Sequence, residues 1–116
     1  MTPLRRPMVS SGFLFDPTLT AAIRLDTPAW ATWLEQERAT GFAYPLFDPA
    51  QGYIVGWMSV RTERRQRGGA YWVAFRRCQG TLRKVYIGRR AAVTPARLAA
   101  IAHALRDAAV PPKEQP

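Results

Sequence analysis

Three β-forming runs follow one another between Tyr53 and Gly88, and the signals between them leave little freedom in how they pair. Tyr53 to Thr62 is rich in Ile, Val, Trp and Tyr, Ala70 to Cys78 interleaves aromatics with Val and Arg, and Leu82 to Gly88 completes the series. β-branched and aromatic side chains suit a pleated, half-buried surface, so each run reads as a strand. Arg64-Arg65-Gln66-Arg67-Gly68-Gly69 reads as a hairpin loop, because paired glycines accept positive φ and crowded like charges repel in a packed element. Gln79-Gly80 is a two-residue tight turn. Three antiparallel strands of this kind need an apolar cover on one face.

Two helices are available for that cover. Thr27-Pro28 supplies a capping hydroxyl followed by a proline at the first helical position, where its missing N–H costs little. The spacing of Trp30, Trp33 and Leu34 predicts a helix over 28–40, ended by Gly41. Thr94-Pro95 repeats the start signal. Leu98, Ile101, Ala102, Leu105 and Ala109 fall on one face of a helix predicted over 95–109, which Pro111-Pro112 stops. Between them, Phe42 to Phe47 reads as a short strand or extended link, closed by the turn residues Asp48 to Gly52. The expected fold is α+β: a three-stranded antiparallel sheet packed on a C-terminal helix, with an additional N-terminal helix. Residues 1–26, broken by Pro3, Pro7, Ser10-Ser11-Gly12 and Asp16-Pro17, read as a flexible N-terminal arm. Residues 27–109 form the expected domain and 110–116 a disordered tail.

The chain's whole excess charge lies in one 30-residue stretch of this region. Arg61, Arg64, Arg65, Arg67, Arg76, Arg77, Arg83, Lys84, Arg89 and Arg90 face a single acid, Glu63, while the other 86 residues are balanced, so the net +9 is local. A field focused on one β ribbon attracts a polyanion, and nucleic acid is the natural partner. Arginine serves phosphates and guanine edges alike through its planar fork.

Other chemistries have little to build on. Cys78 and His103 are the sole cysteine and histidine, so side chains cannot form an internal disulfide or a zinc finger. His103 has no nucleophile near it in sequence, and the scattered aspartates sit where turns and helix ends explain them. No enzyme, metal site or cofactor is expected. No apolar run has the length of a signal peptide or membrane span, so a cytoplasmic, nucleoid-associated protein is expected.

Strand alternation then divides the basic residues between faces. A helix seam of Leu98, Ile101 and Leu105 would pack on Tyr71, Val73, Phe75, Val85 and Ile87, leaving Trp72, Arg76, Lys84 and Tyr86 outward. A two-stranded ribbon is narrow enough to enter a DNA major groove. In that arrangement Arg76, Lys84 and one or more of Arg61, Arg64, Arg65 and Arg67 would contact bases, with Trp72 and Tyr86 beside them. Arg67, Arg77, Arg89 and Arg90 would hold phosphates. One small module buries limited DNA surface, so pairing with itself, as a dimer or cooperative array, or membership of a larger DNA-acting complex is expected. Two other readings compete. In one, the aromatics stack on RNA or single-stranded bases; in the other, the domain is an adaptor for an acidic protein partner.

The series Asp26-Thr27-Pro28-Ala29-Trp30, Trp33-Leu34-Glu35, Arg61 to Gly69, Tyr71 to Arg77 and Leu82 to Gly88, with Leu98, resembles a bacterial DNA-binding module. That module stands at the head of transcription regulators of the LuxR class and in mobile-element proteins. The resemblance covers about Leu25 to Leu105. It is more distantly similar to the arm-site-binding domain of tyrosine integrases and to the plant ethylene-response-type domain, in both of which a three-stranded sheet enters the major groove. The resemblance implies that Arg76, Lys84 and Tyr86 read DNA, with Arg61 and Arg64 as looser first-strand matches. It implies a transcription regulator or mobile-element accessory factor.

Overall fold

The computed structural model of the chain describes residues 6–36, 41–64, 69–78 and 80–108. Strands β1 (Met8–Ser10), β2 (Phe13–Phe15) and β3 (Ile23–Arg24) precede helix α1 (Pro28–Glu35). Strands β4 (Gly41–Asp48), β5 (Tyr53–Arg64), β6 (Ala70–Cys78) and β7 (Thr81–Gly88) follow, then a 3-10 turn (Arg90–Ala92) and helix α2 (Pro95–Ala108).

All seven strands join one mixed sheet in the order β3-β2-β1-β4-β5-β6-β7. Every neighbouring pair is antiparallel except β1 and β4, which run parallel and meet at Met8 opposite Ala43. The expected three-stranded sheet on a C-terminal helix is therefore corrected: the three predicted strands are three of seven in a wider mixed sheet, and both helices contribute to the core on one of its faces. Three strands, β1 to β3, escaped the sequence reading, and β4 was read only as a short strand or extended link over Phe42 to Phe47. In β4, Gly41 and Pro45 interrupt the alternation. Pro45 is tolerated because β1 pairs with β4 only at Ala43, leaving the proline where the strand has one neighbour. Strands β1 to β3 have two or three residues each, too few for a period to show.

Residues 8–24, expected to be a flexible arm, thus extend the sheet. Val9 and Leu14 are buried, and the Trp33 indole N–H donates to Asp16 Oδ2 at 2.8 Å, tying the segment to α1. The same carboxylate accepts from the backbone N–H and hydroxyl of Thr18. Partial burial pushes the Asp16 carboxyl up. The three donors outweigh it and leave the group below its ordinary range.

Both helix starts use the caps read from sequence. The Trp30 backbone N–H donates to Thr27 Oγ1 and the Arg97 N–H to Thr94 Oγ1. Helix α1 stops at Glu35, short of the predicted Thr40, because Gln36 turns to an extended conformation; residues 37–40 lie outside the described set. The predicted tail, 110–116, lies outside it as well. Gly41 opens β4 at φ 150°, and a Cβ there would stand 2.5 Å from the Val60 carbonyl, so the close approach of β5 requires glycine.

The helices cover one face of the sheet. Phe42 sits at the hub, with its ring 5.4 Å from Trp30, 6.0 Å from Trp33 and 6.1 Å from Trp72. Leu46, Met58, Val60, Ala74 and Ile87 complete the sheet side of the core, and Leu98, Ile101 and Leu105 close it from α2. Replacing Asp16 with Ala removes a charged acceptor from a part-buried indole N–H and frees the N-terminal strands. The expected loss is about 1–3 kcal/mol of stability in urea unfolding, and an unchanged midpoint would show that the tie is dispensable.

Candidate nucleic-acid interface

Register decides which basic residues share a surface. Ser59 stands opposite Phe75, Thr62 opposite Trp72, Val73 opposite Tyr86 and Phe75 opposite Lys84. With strict alternation, Trp57, Ser59, Arg61 and Glu63 share the open face with Tyr71, Val73, Phe75, Arg77, Leu82, Lys84 and Tyr86. Trp72, Ala74, Arg76, Arg83, Val85 and Ile87 face the helices. The phase expected for β7 agrees with this, and the phase expected for β6 is inverted.

Two candidate contact residues are thereby corrected. Trp72 is 3% exposed and belongs to the core, its ring packed 6.1 Å from that of Phe42, while Val73, on the opposite side of the strand, is buried as well. Arg76 is half-buried at the end of the helix-covered face, folded over Gly56, where a Cβ would come 2.5 Å from its Nη2. Neither side chain is presented on the open sheet face.

Arg61, Arg77, Lys84 and Tyr86 do reach that face. The Arg61 guanidinium lies 4.5 Å from the centroid of the Phe75 ring, a cation–π contact. Glu63 is set between cations, with Lys84 Nζ at 2.7 Å and Arg61 Nη2 at 3.7 Å, and also accepts from the Tyr71 hydroxyl. Tyr71 packs in turn against Tyr86, ring centroids 5.1 Å apart. Chiefly through the Lys84 hydrogen bond, against some desolvation and helped by the Lys84 charge, Tyr71 and Arg61, the Glu63 carboxyl is held below its ordinary value. Arg6 also belongs here, donating to Ser59 Oγ at 3.1 Å. Its place was invisible in sequence, because it depends on β1 pairing with β4.

Arg64, Arg89 and Arg90 gather at one end of the sheet. In the pairing, β4 ends opposite Arg61 and β7 ends opposite Trp72, so β5 and β6 continue past both neighbours as a two-stranded ribbon through Arg64 and Ala70. Beside it a cleft of about 810 Å³ is lined by Arg64, Arg89 and Arg90, with Thr62, Trp72, Glu35 and Gln36. Glu35 holds Arg90 at 2.6 Å. Arg65 and Arg67, expected at the ribbon tip, lie outside the described residues.

No family model, curated protein or solved structure matches this chain. The geometry is therefore the ground for a functional reading. Among the described residues, no helix is long and apolar enough to cross a membrane.

Two predictions separate core from surface. Trp72→Ala should cost about 3–5 kcal/mol in chemical unfolding, as for other buried tryptophans; a cost under about 1 kcal/mol would return Trp72 to the surface. The lowered Glu63 pKa means that the unfolded chain binds more protons than the folded one at acid pH. Its contribution to stability is present above the ordinary value of 4.5 and is lost as pH falls from there through the folded value. Glu63→Gln should flatten the acid limb of the unfolding midpoint against pH, and parallel limbs would show that the Lys84 pairing does not survive in solution.

Proposed function

We propose that this chain binds double-stranded DNA, with the projecting end of the β5–β6 ribbon directed into the major groove. The observation that carries the reading is the ribbon itself, two strands wide where it leaves the sheet and flanked by Arg61, Arg64, Arg89 and Arg90. A groove about 12 Å wide admits two strands, and the seven-stranded body is too broad to follow. Guanidinium groups suit both contacts the reading needs, phosphates along the walls and base edges at the floor.

The roles divide by position. Arg64, Arg89 and Arg90 line the cleft, where they hold the phosphate backbone and reach base edges. Arg77, Lys84 and Tyr86 lie along the open face and contact DNA only where it runs past the ribbon. Trp72 supports the ribbon from within, and Arg76 no longer carries base reading. The resemblance to the module of LuxR-class regulators and mobile-element proteins supports the same reading, and with it a non-enzymatic role in transcription or in a mobile element. A ribbon this small buries little DNA, so cooperative filling of neighbouring sites or a DNA-acting complex completes the affinity.

Duplex affinity measured against salt tests the proposal. With about five phosphates neutralised, log affinity should fall against log salt with a slope of roughly −4 to −5. Arg64→Ala and Arg89→Ala should each reduce that slope by about one while leaving the thermal midpoint in place. A slope near zero, or one that these substitutions do not alter, would overturn the reading.

A further inference from the structure

A groove-binding ribbon uses one end of the sheet and leaves its open face unexplained. That face is unusually aromatic for a surface in water. Trp57 is 39% exposed, Tyr86 52% and Phe47 51%, and Phe75 lies between the first two beneath the Arg61 guanidinium. Scattered exposed rings call for no explanation, but these lie in register.

Phe75 stands opposite Ser59, two residues along β5 from Trp57. Tyr86 stands opposite Val73, two residues along β6 from Phe75. Each step from Trp57 to Phe75 to Tyr86 therefore combines two residues of strand rise with one strand spacing, about 8 Å along a straight diagonal. Three neighbouring strands thus present three rings in one line. Cations accompany the line: Arg61 over the middle ring, Lys84 opposite Phe75, Arg6 reaching Ser59, and Arg77 on the same face by alternation. The acid described on this face, Glu63, is already engaged by Lys84 and Arg61.

We infer that the open face is a second nucleic-acid site, one that takes an unpaired strand of DNA or RNA by stacking successive bases along the Trp57–Phe75–Tyr86 diagonal. Rings on a sheet hold two or three splayed bases in this way, and a guanidinium plane serves as a stacking surface as well as an aromatic does. Arg61, lying on Phe75, provides the middle station. Arg77 and Lys84 meet the phosphates on either side. In a paired duplex the bases are stacked on one another and cannot meet these rings, so the two sites read different states of the same polymer. The inference rests on nucleic acid being the partner and adds a second substrate, the unpaired strand.

Fluorescence provides the test. Trp30, Trp33 and Trp72 are each 3% exposed, so Trp57 is the tryptophan that a base can cover from solvent. Titration of the full chain with a twelve-residue oligothymidylate should quench part of the emission, and Trp57→Phe should remove that quenching while binding, followed by anisotropy of a labelled strand, persists. Trp57→Ala and Tyr86→Ala should each weaken strand binding about 5- to 150-fold with an unchanged circular dichroism spectrum, and Trp57→Ala should leave duplex affinity within about twofold of the parent. An oligouridylate of equal length identifies the sugar preferred, since a gap between the two oligomers means that the 2′-hydroxyl is sensed. Binding of duplex without binding of either single strand would overturn this inference and leave the ribbon reading standing. Single-strand binding that neither alanine variant weakens would overturn it too. Failure to bind any nucleic acid would overturn both.

Discussion

Packing around the Phe42 ring governs this structure. Trp30 and Trp33 descend on it from α1 while Trp72 meets it from β6, so one aromatic cluster ties the first helix to two strands of the sheet. Aromatic side chains contribute large buried areas, and rings at these separations add a further increment from their geometry. Once Trp72 is committed to that cluster, alternation sends Tyr71, Val73, Phe75 and Arg77 to the opposite face. The surface offered to a partner follows from which residue of the Tyr71-Trp72 pair the core accepts.

Much of the fold was legible because local chemistry agreed with it. The threonine-proline starts, the three β runs and the α2 seam of Leu98, Ile101 and Leu105 all correspond to observed elements. The face assignment failed at a point where the sequence held enough information. Cys78 pairs with Thr81 across the predicted two-residue turn, and such pairing places odd positions of β6 beside even positions of β7. Val73 and Phe75 therefore accompany Tyr86 and Lys84 and cannot lie with Val85 and Ile87. Periodicity alone gave two admissible phases for β6, and the choice by helix complementarity overlooked that the turn had already chosen.

Other features were beyond local reading. No period can be seen in strands of two or three residues, and β1 to β3 are held by partners distant in sequence: Val9 and Leu14 in the core, Asp16 on Trp33. The gathering of Arg64 with Arg89 and Arg90 in one cleft likewise depends on how the end of β5 sits beside the chain leaving β7. The charge stretch showed that a basic surface exists. Its division between a projecting ribbon and an aromatic open face arises from register.

The position of β7 gives its charges another consequence. As the last strand of the sheet it leaves one row of backbone groups without a strand alongside, the usual starting point for edge-to-edge aggregation. At its middle, Arg83 and Lys84 point to opposite faces. A second copy docked antiparallel about Lys84 would set Lys84 opposite its own counterpart, one docked about Arg83 would set Arg83 opposite Arg83, and like charges directly opposite one another are destabilising. The pair thus guards the margin of the sheet. Charge on one strand opposes growth of the sheet by addition of a further copy at this edge.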